Sequence, residues 1–172
     1  MNIESNVRCL KMKKELKHIS RVNSKQITFC GRLGLDVEGD TLSMAVAKIH
    51  DLIDRKFFSE TDLERPTEKQ IQLARKFGYD ISRCTRREGD AVISDIMTDL
   101  NLESIEEQQL ESGVAVINKW DQLKKVQVIS SIQEDGLVFF KGGNGKRAWG
   151  RNLVKADSGQ VAPGDPSKSL AP

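Results

Sequence analysis

Asn23-Ser24-Lys25-Gln26-Ile27-Thr28-Phe29-Cys30-Gly31-Arg32-Leu33-Gly34-Leu35-Asp36-Val37 returns 44 positions later as Thr67-Glu68-Lys69-Gln70-Ile71-Gln72-Leu73-Ala74-Arg75-Lys76-Phe77-Gly78-Tyr79-Asp80-Ile81. At that shift the chain aligns to itself without a gap. Lys25, Gln26, Ile27, Gly34, Asp36, Thr41, Ala47, Ile49 and Asp51 meet identical residues. A fixed offset of this kind is the sequence mark of a repeated structural unit. The reading is one helix-loop-helix unit written twice, at 23–57 and 67–101.

The shared positions are the ones a helix needs. Asn23 precedes Gln26 by three, and Thr67 precedes Gln70 by three, the spacing at which cap and side chain satisfy each other's free amides. Gly34 and Gly78 end the first helices, since glycine accepts the left-handed conformation there. Thr41 and Thr85 then start second helices, and Thr85-Arg86-Arg87-Glu88 is a full capping box. Periodicity predicts that these helices bury Leu42, Ala45, Val46, Ile49, Leu52 and Ile53, and Val92, Ile93, Ile96 and Met97. A unit of about 35 residues cannot bury a core alone. The two are therefore expected to pack together, with a helix over 6–20 (Val7, Leu10, Leu16, Ile19) beside them.

Working outward, 102–112 is rich in Glu and Gln and reads as a polar helix or linker. From Gly113 the helical period gives way to alternation. Val126, Val128 and Ile132, then Leu137-Val138-Phe139-Phe140, Arg147-Ala148-Trp149-Gly150 and Asn152-Leu153-Val154 read as short strands. Glu134-Asp135-Gly136 and 141–146 read as the turns between them. Four or five strands in 113–157 suit a small SH3-like β-barrel. Residues 158–172 are rich in Gly, Pro, Ser and Ala, a composition that predicts disorder. The fold class is thus α+β: a basic N-terminal segment (1–22), a tandem helix-loop-helix repeat domain, a small barrel and a tail.

The chain has 172 residues, 30% of them charged, and a net charge of +2. That charge is uneven. Residues 1–22 carry six basic residues against two acidic, and 113–157 carry eight against four. Two separated basic surfaces suit polyanionic partners. No apolar run reaches the roughly 20 residues that span a bilayer, and Met1-Asn2-Ile3-Glu4 opens no signal peptide, so an intracellular protein is expected. Cys9, Cys30 and Cys84 form no CxxC pair, and His18 and His50 have no ligand neighbours at metal spacing. Neither a disulfide framework, a metal site nor a cofactor is expected.

No catalytic motif is present. Gly142-Gly143-Asn144-Gly145-Lys146 lacks the Ser or Thr and the following helix that a phosphate loop requires, so it reads as a hairpin turn. Asp51/Asp54 and Asp95/Asp99 read as solvated carboxylates on helix faces. The expectation is a non-catalytic binding protein contacting DNA or RNA within a larger assembly. Its candidate contacts are Arg83, Arg86 and Arg87 at the second unit's second helix, and Lys141, Lys146, Arg147, Trp149 and Arg151 around a strand hairpin, where cations beside a ring suit phosphate contact with base stacking. Two other readings fit the same absence of catalysis. One is a protein-interaction adaptor taking a peptide or methylated tail on the barrel. The other is a small phage-type inhibitor of a nucleic-acid enzyme.

Two resemblances bear on this. Leu33-Gly34-Leu35, Gly39 and the helix from Thr41 make each unit resemble the SAP class of DNA-binding helix-extended loop-helix modules. The second copy departs from that pattern at Tyr79 and Arg83, and the first lacks the basic residue at its second helix start. Lys125-Val126-Gln127-Val128, Asp135–Phe140 and Ala148–Leu153 resemble SH3-like barrels of the Tudor or KOW type. The first resemblance implies DNA contact, the second binding of peptides, methylated side chains or nucleic acid.

Overall fold

The computed structural model describes residues 13–58, 63–142 and 145–156. Among them are four α-helices followed by a five-strand antiparallel sheet. The chain is therefore mixed α+β. It divides into two compact units between Met97 and Thr98. The tail from 158 and the segment 1–12 lie outside the described residues.

In the first unit, α1 (Ser24–Arg32) and α3 (Glu68–Lys76) are both nine residues long. Both start on a two-way capping box, Asn23 with Gln26 and Thr67 with Gln70. Both end at a glycine with positive φ, +79° at Gly34 and +81° at Gly78. The amides of Leu35 and Tyr79 then return to the carbonyls of Cys30 and Ala74, closing the same glycine-terminated turn. The helix α2 (Leu42–Phe57) starts on Thr41, whose hydroxyl accepts from the Met44 amide at 3.2 Å. The helix α4 (Arg86–Glu107) starts on Thr85, with Glu88 reaching back to the Thr85 amide at 2.9 Å. Cys30, Val37 and Ala45 form a buried cluster with Val22, Ile27, Leu35 and Ile49 packed against it.

The structure departs from the sequence expectation in two places here. Residues 13–20 are irregular rather than helical. Leu16 is still buried, and the segment is held by the Lys14 amide on Phe77 O and by Tyr79 Oη on Lys14 O, at 2.9 and 2.8 Å. Leu42, Val46 and Ile53 are not core residues: they are 41%, 44% and 38% exposed, because Ala45, Ala47 and Ile49 take the inward face of α2. Of the two readings of 102–112, polar helix or linker, the helix holds as far as Glu107, as a continuation of α4.

The second unit is built on the end of α4. Its strands are β1 (Ala115–Asn118), β2 (Val126–Ile132), β3 (Leu137–Phe140), β4 (Arg147–Trp149) and β5 (Leu153–Lys155). Their order is β4-β3-β2-β1-β5, so β4 and β5 are the edges and the sheet is open, not a closed barrel. A register shift between Ile129 and Ser131 bends β2. A short 3-10 turn, Gly150–Asn152, joins β4 to β5. Val116, Ile129, Val138, Phe140, Ala148 and Leu153 make the core, closed by Leu110 and Ile105. The polar residues of the helix end do specific work. Asn101 Nδ2 donates to Asp135 O at 3.3 Å, and Gln108 Nε2 to Leu153 O at 3.0 Å while its Oε1 takes the Lys155 amide at 3.1 Å.

Candidate nucleic-acid interface

The eight sequence-predicted contacts fall into two groups, and the structure treats them differently. In the first unit, Arg86 and Arg87 are committed to acids. Arg86 Nη1 lies 2.5 Å from Glu64 Oε2. Arg87 Nη1 lies 2.7 Å from both Asp51 Oδ1 and Asp54 Oδ2. The hydrogen bond that Arg87 donates to Asp54, and then the charges of Asp54 and Asp51, hold the Arg87 guanidinium above its ordinary value; Glu64 does the same for Arg86. The cleft beside them, about 350 Å³, is lined by Asp51, Asp54, Glu64 and Asp90 against these two cations. Four carboxylates against two guanidiniums repel a phosphate chain. Arg83 is exposed without an ion pair among the described residues, and its carbonyl accepts from Arg65 Nη1 at 2.9 Å. Arg65 is thus a neighbouring cation the sequence reading passed over.

The carboxylates here are not the solvated pairs expected from the sequence. Asp51, Asp95 and Asp99 are 3%, 7% and 1% exposed. Asp51 Oδ2 accepts from Thr85 Oγ1 at 2.5 Å, and Asp95 Oδ2 from Ser43 Oγ at 2.6 Å. Residue 43 meets 95 and 51 meets 87, so α2 and α4 run antiparallel, each presenting a buried aspartate to the start of the other. A helix N-terminus stabilises a nearby carboxylate through its exposed amides and dipole. The role of Asp51 and Asp95 is thus to join the helices.

Cys84 lines a second cavity of this unit, about 200 Å³, with Leu16, Met44, Tyr79 and Asp95. Burial pushes its thiol up, and the Glu88 and Asp80 carboxylates add to the effect. The reactive form is the thiolate, so alkylation of Cys84 by iodoacetamide at pH 8 is expected to be at least roughly threefold slower than that of free cysteine. Peptide mapping by mass spectrometry reads Cys84 apart from Cys9 and Cys30.

The second group lies on the sheet. In β4 the side chains alternate, with Arg147 and Trp149 outward and Ala148 in the core. Arg147 pairs across the strands with Phe139, and Trp149 with Leu137. The outer face of the β3–β4 hairpin therefore carries a half-covered aromatic, an indole 38% exposed, and a guanidinium on an edge strand. Lys141 and Lys146 bracket the hairpin turn, both exposed. None of Lys141, Lys146 and Arg147 forms an ion pair among the described residues. Arg151 lies outside the strands, in the 3-10 turn, where its carbonyl takes Lys119 Nζ at 2.8 Å.

Beside that turn is a second ring, outside the eight candidate contacts. Trp120 is 76% exposed and its indole N–H donates to Asn152 Oδ1 at 3.3 Å. Its loop is fixed from within: Asp121 accepts from the Leu123 and Lys125 amides, and Lys124 Nζ donates to Lys119 O. Lys119, Trp120 and Lys124 thus form a second aromatic and basic spot. The signal available in the sequence was the lysine density of 119–125.

Comparison with protein-family models, curated proteins and solved structures found no match. No helix among the described residues is long and apolar enough to cross a membrane.

Proposed function

We propose that this chain is a non-catalytic protein that contacts nucleic acid through the outer face of its sheet, as one part of a larger assembly. The observation that carries the reading is Trp149: an outward indole on an edge strand, on the same face as Arg147 and on the hairpin that carries Lys141 and Lys146, cations that form no ion pair among the described residues. A ring offers a π-face to any base, and unpaired cations follow the backbone. The SH3-like reading of 113–157 draws support from the strand order, the bent β2 and the 3-10 turn before β5. The tandem SAP-like reading draws support from caps and glycines at a constant offset of 44. With Arg86 and Arg87 held by acids, the first unit contributes at most Arg83 and Arg65 to such a contact.

The test is fluorescence anisotropy of the full chain against labelled DNA and RNA, single-stranded and duplex. Binding at about 50 mM salt that weakens steeply by about 200 mM is expected, since counterion release sets the salt slope. Trp149→Ala should weaken binding roughly tenfold with the circular dichroism unchanged, in line with about 1–3 kcal/mol for one stacked base. Arg147→Ala should lower the salt slope by about one. No detectable binding at the low-salt condition would overturn the proposal.

A further inference from the structure

The helix α2 is apolar on both sides. Ala45, Ala47 and Ile49 face the interior, yet the outward positions Leu42, Val46, Ile53 and Phe57 are 41%, 44%, 38% and 77% exposed. With His50 they form one continuous stripe at helical spacing along the whole helix. A contiguous apolar patch on a surface marks an interaction site. Over the first half of the stripe the counterparts 44 residues on, Arg86, Asp90 and Ser94, are exposed and polar, while those of Ile53 and Phe57 are the half-buried Met97 and the buried Asn101.

We infer that the outward face of α2 is a self-docking surface, on which the α2 of a second copy of this chain lies antiparallel. Two features of the stripe select that occupant. The first is its spacing. Leu42, Val46, Ile53 and Phe57 are separated by four, seven and four residues, which reads the same in both directions. A two-fold interface requires such a pattern, because each residue i must meet residue j while j meets i. Here Leu42 meets Phe57, and Val46 meets Ile53, about an axis between Ile49 and His50. The second feature is charge. The loop before the helix holds Asp36, Glu38 and Asp40, while the exposed Lys56 flanks the stripe at its other end and Arg55 lies on the opposite side of the helix. Lys48 occupies Asp40 at 2.6 Å, but Glu38, Arg55 and Lys56 have no ion pair among the described residues. An antiparallel copy brings opposite charges together at both ends; a parallel copy brings like charges together. Antiparallel packing also opposes the helix dipoles favourably.

The footprint sets the strength. A 16-residue helix is about 24 Å long and about 10 Å wide, so the interface falls in the small, weak class, with dissociation expected on the order of 10–100 μM. Sedimentation and light scattering of the full chain over about 5–500 μM test it. The mass should rise with concentration from 19.3 kDa towards twice that value. Val46→Glu with Ile53→Glu should hold the chain at the single mass. Phe57→Gln, at a residue too exposed to matter for the monomer fold, should raise the dissociation constant at least roughly tenfold and covers the case in which the double variant fails to fold. A wild-type chain that stays at 19.3 kDa throughout overturns the inference. So does a dimer that a folded double variant or Phe57→Gln leaves intact, since its interface then lies elsewhere.

Discussion

Asp51→Ala is expected to be among the two most destabilising single changes in the chain, at about 2–3 kcal/mol. The Asp51 side chain is 5% exposed and takes two donors from α4, Thr85 Oγ1 at 2.5 Å and Arg87 Nη1 at 2.7 Å. Removing a buried carboxylate that is hydrogen-bonded on both oxygens ordinarily costs about 3–5 kcal/mol, because its partners lose their charge complement. The discount comes from Arg87, which is 43% exposed and keeps Asp54 at 2.7 Å. Water and Asp54 together absorb part of the loss. Thermal unfolding followed by circular dichroism should show a drop of roughly 10 °C. A cycle with Thr85→Val isolates the hydroxyl bond, and the two single costs should add to more than the double. Asp95→Ala, which loses the Ser43 bond but no arginine, should cost about half as much. Arg86→Ala should be close to neutral, because its Glu64 pair is half exposed on both sides. If Arg87→Ala leaves stability untouched, the account of how α2 and α4 are joined fails.

That contrast between Arg86 and Arg87 shows where the sequence is readable. Caps and stops are local. Asn23 with Gln26, Thr67 with Gln70, and the glycines at 34 and 78 act within a few residues, and they appear in the structure where the spacing puts them. Ion pairs are not local. The partners of Arg86 and Arg87 lie 22 and 33 to 36 residues away, and nothing in Thr85-Arg86-Arg87-Glu88 announces them. A cluster of arginines looks the same in sequence whether it awaits a phosphate or is already neutralised. The stripe on α2 fails for a related reason. Periodicity separates an apolar face from a polar one, and α2 has two apolar faces, so Val46 could not be told from Ala45. The irregular 13–20 fails because two apolar residues, Leu16 and Ile19, are too few to fix a helix against the pull of Tyr79 and Phe77 on the Lys14 backbone. In the sheet, by contrast, the Arg147-Ala148-Trp149 alternation was legible, but which side faced in was not. Pairing of Ala148 with the fully buried Val138 decides it and turns Trp149 outward.

Gly136→Ala is expected to cost about 3 kcal/mol or more, and to do so for two separable reasons. Gly136 closes the β2–β3 turn at φ +79°, with its amide on Gln133 O at 2.9 Å. A side chain in that left-handed region costs about 1 kcal/mol by itself. The second reason is space. A Cβ at 136 would overlap Asn101 Cβ and stand 3.3 Å from the Asn101 carbonyl carbon, both on the rigid end of α4. Overpacking against backbone that cannot yield costs about 1–3 kcal/mol more. Gly145→Ala separates the two, since it shares the positive φ, +63°, but has nothing within 4 Å, and should cost only about 1 kcal/mol. Urea unfolding of the full chain reads both; equal costs at 136 and 145 would sink the packing argument. The consequence reaches the proposed interface, because the Gly136 carbonyl accepts the Gly150 amide at 2.9 Å, one residue from Trp149. Moving the turn away from Asn101 shifts the hairpin face that carries Arg147 and Trp149. Nucleic-acid binding by Gly136→Ala should therefore fall together with the stability of the sheet, whereas Trp149→Ala should weaken binding roughly tenfold in a sheet that still folds.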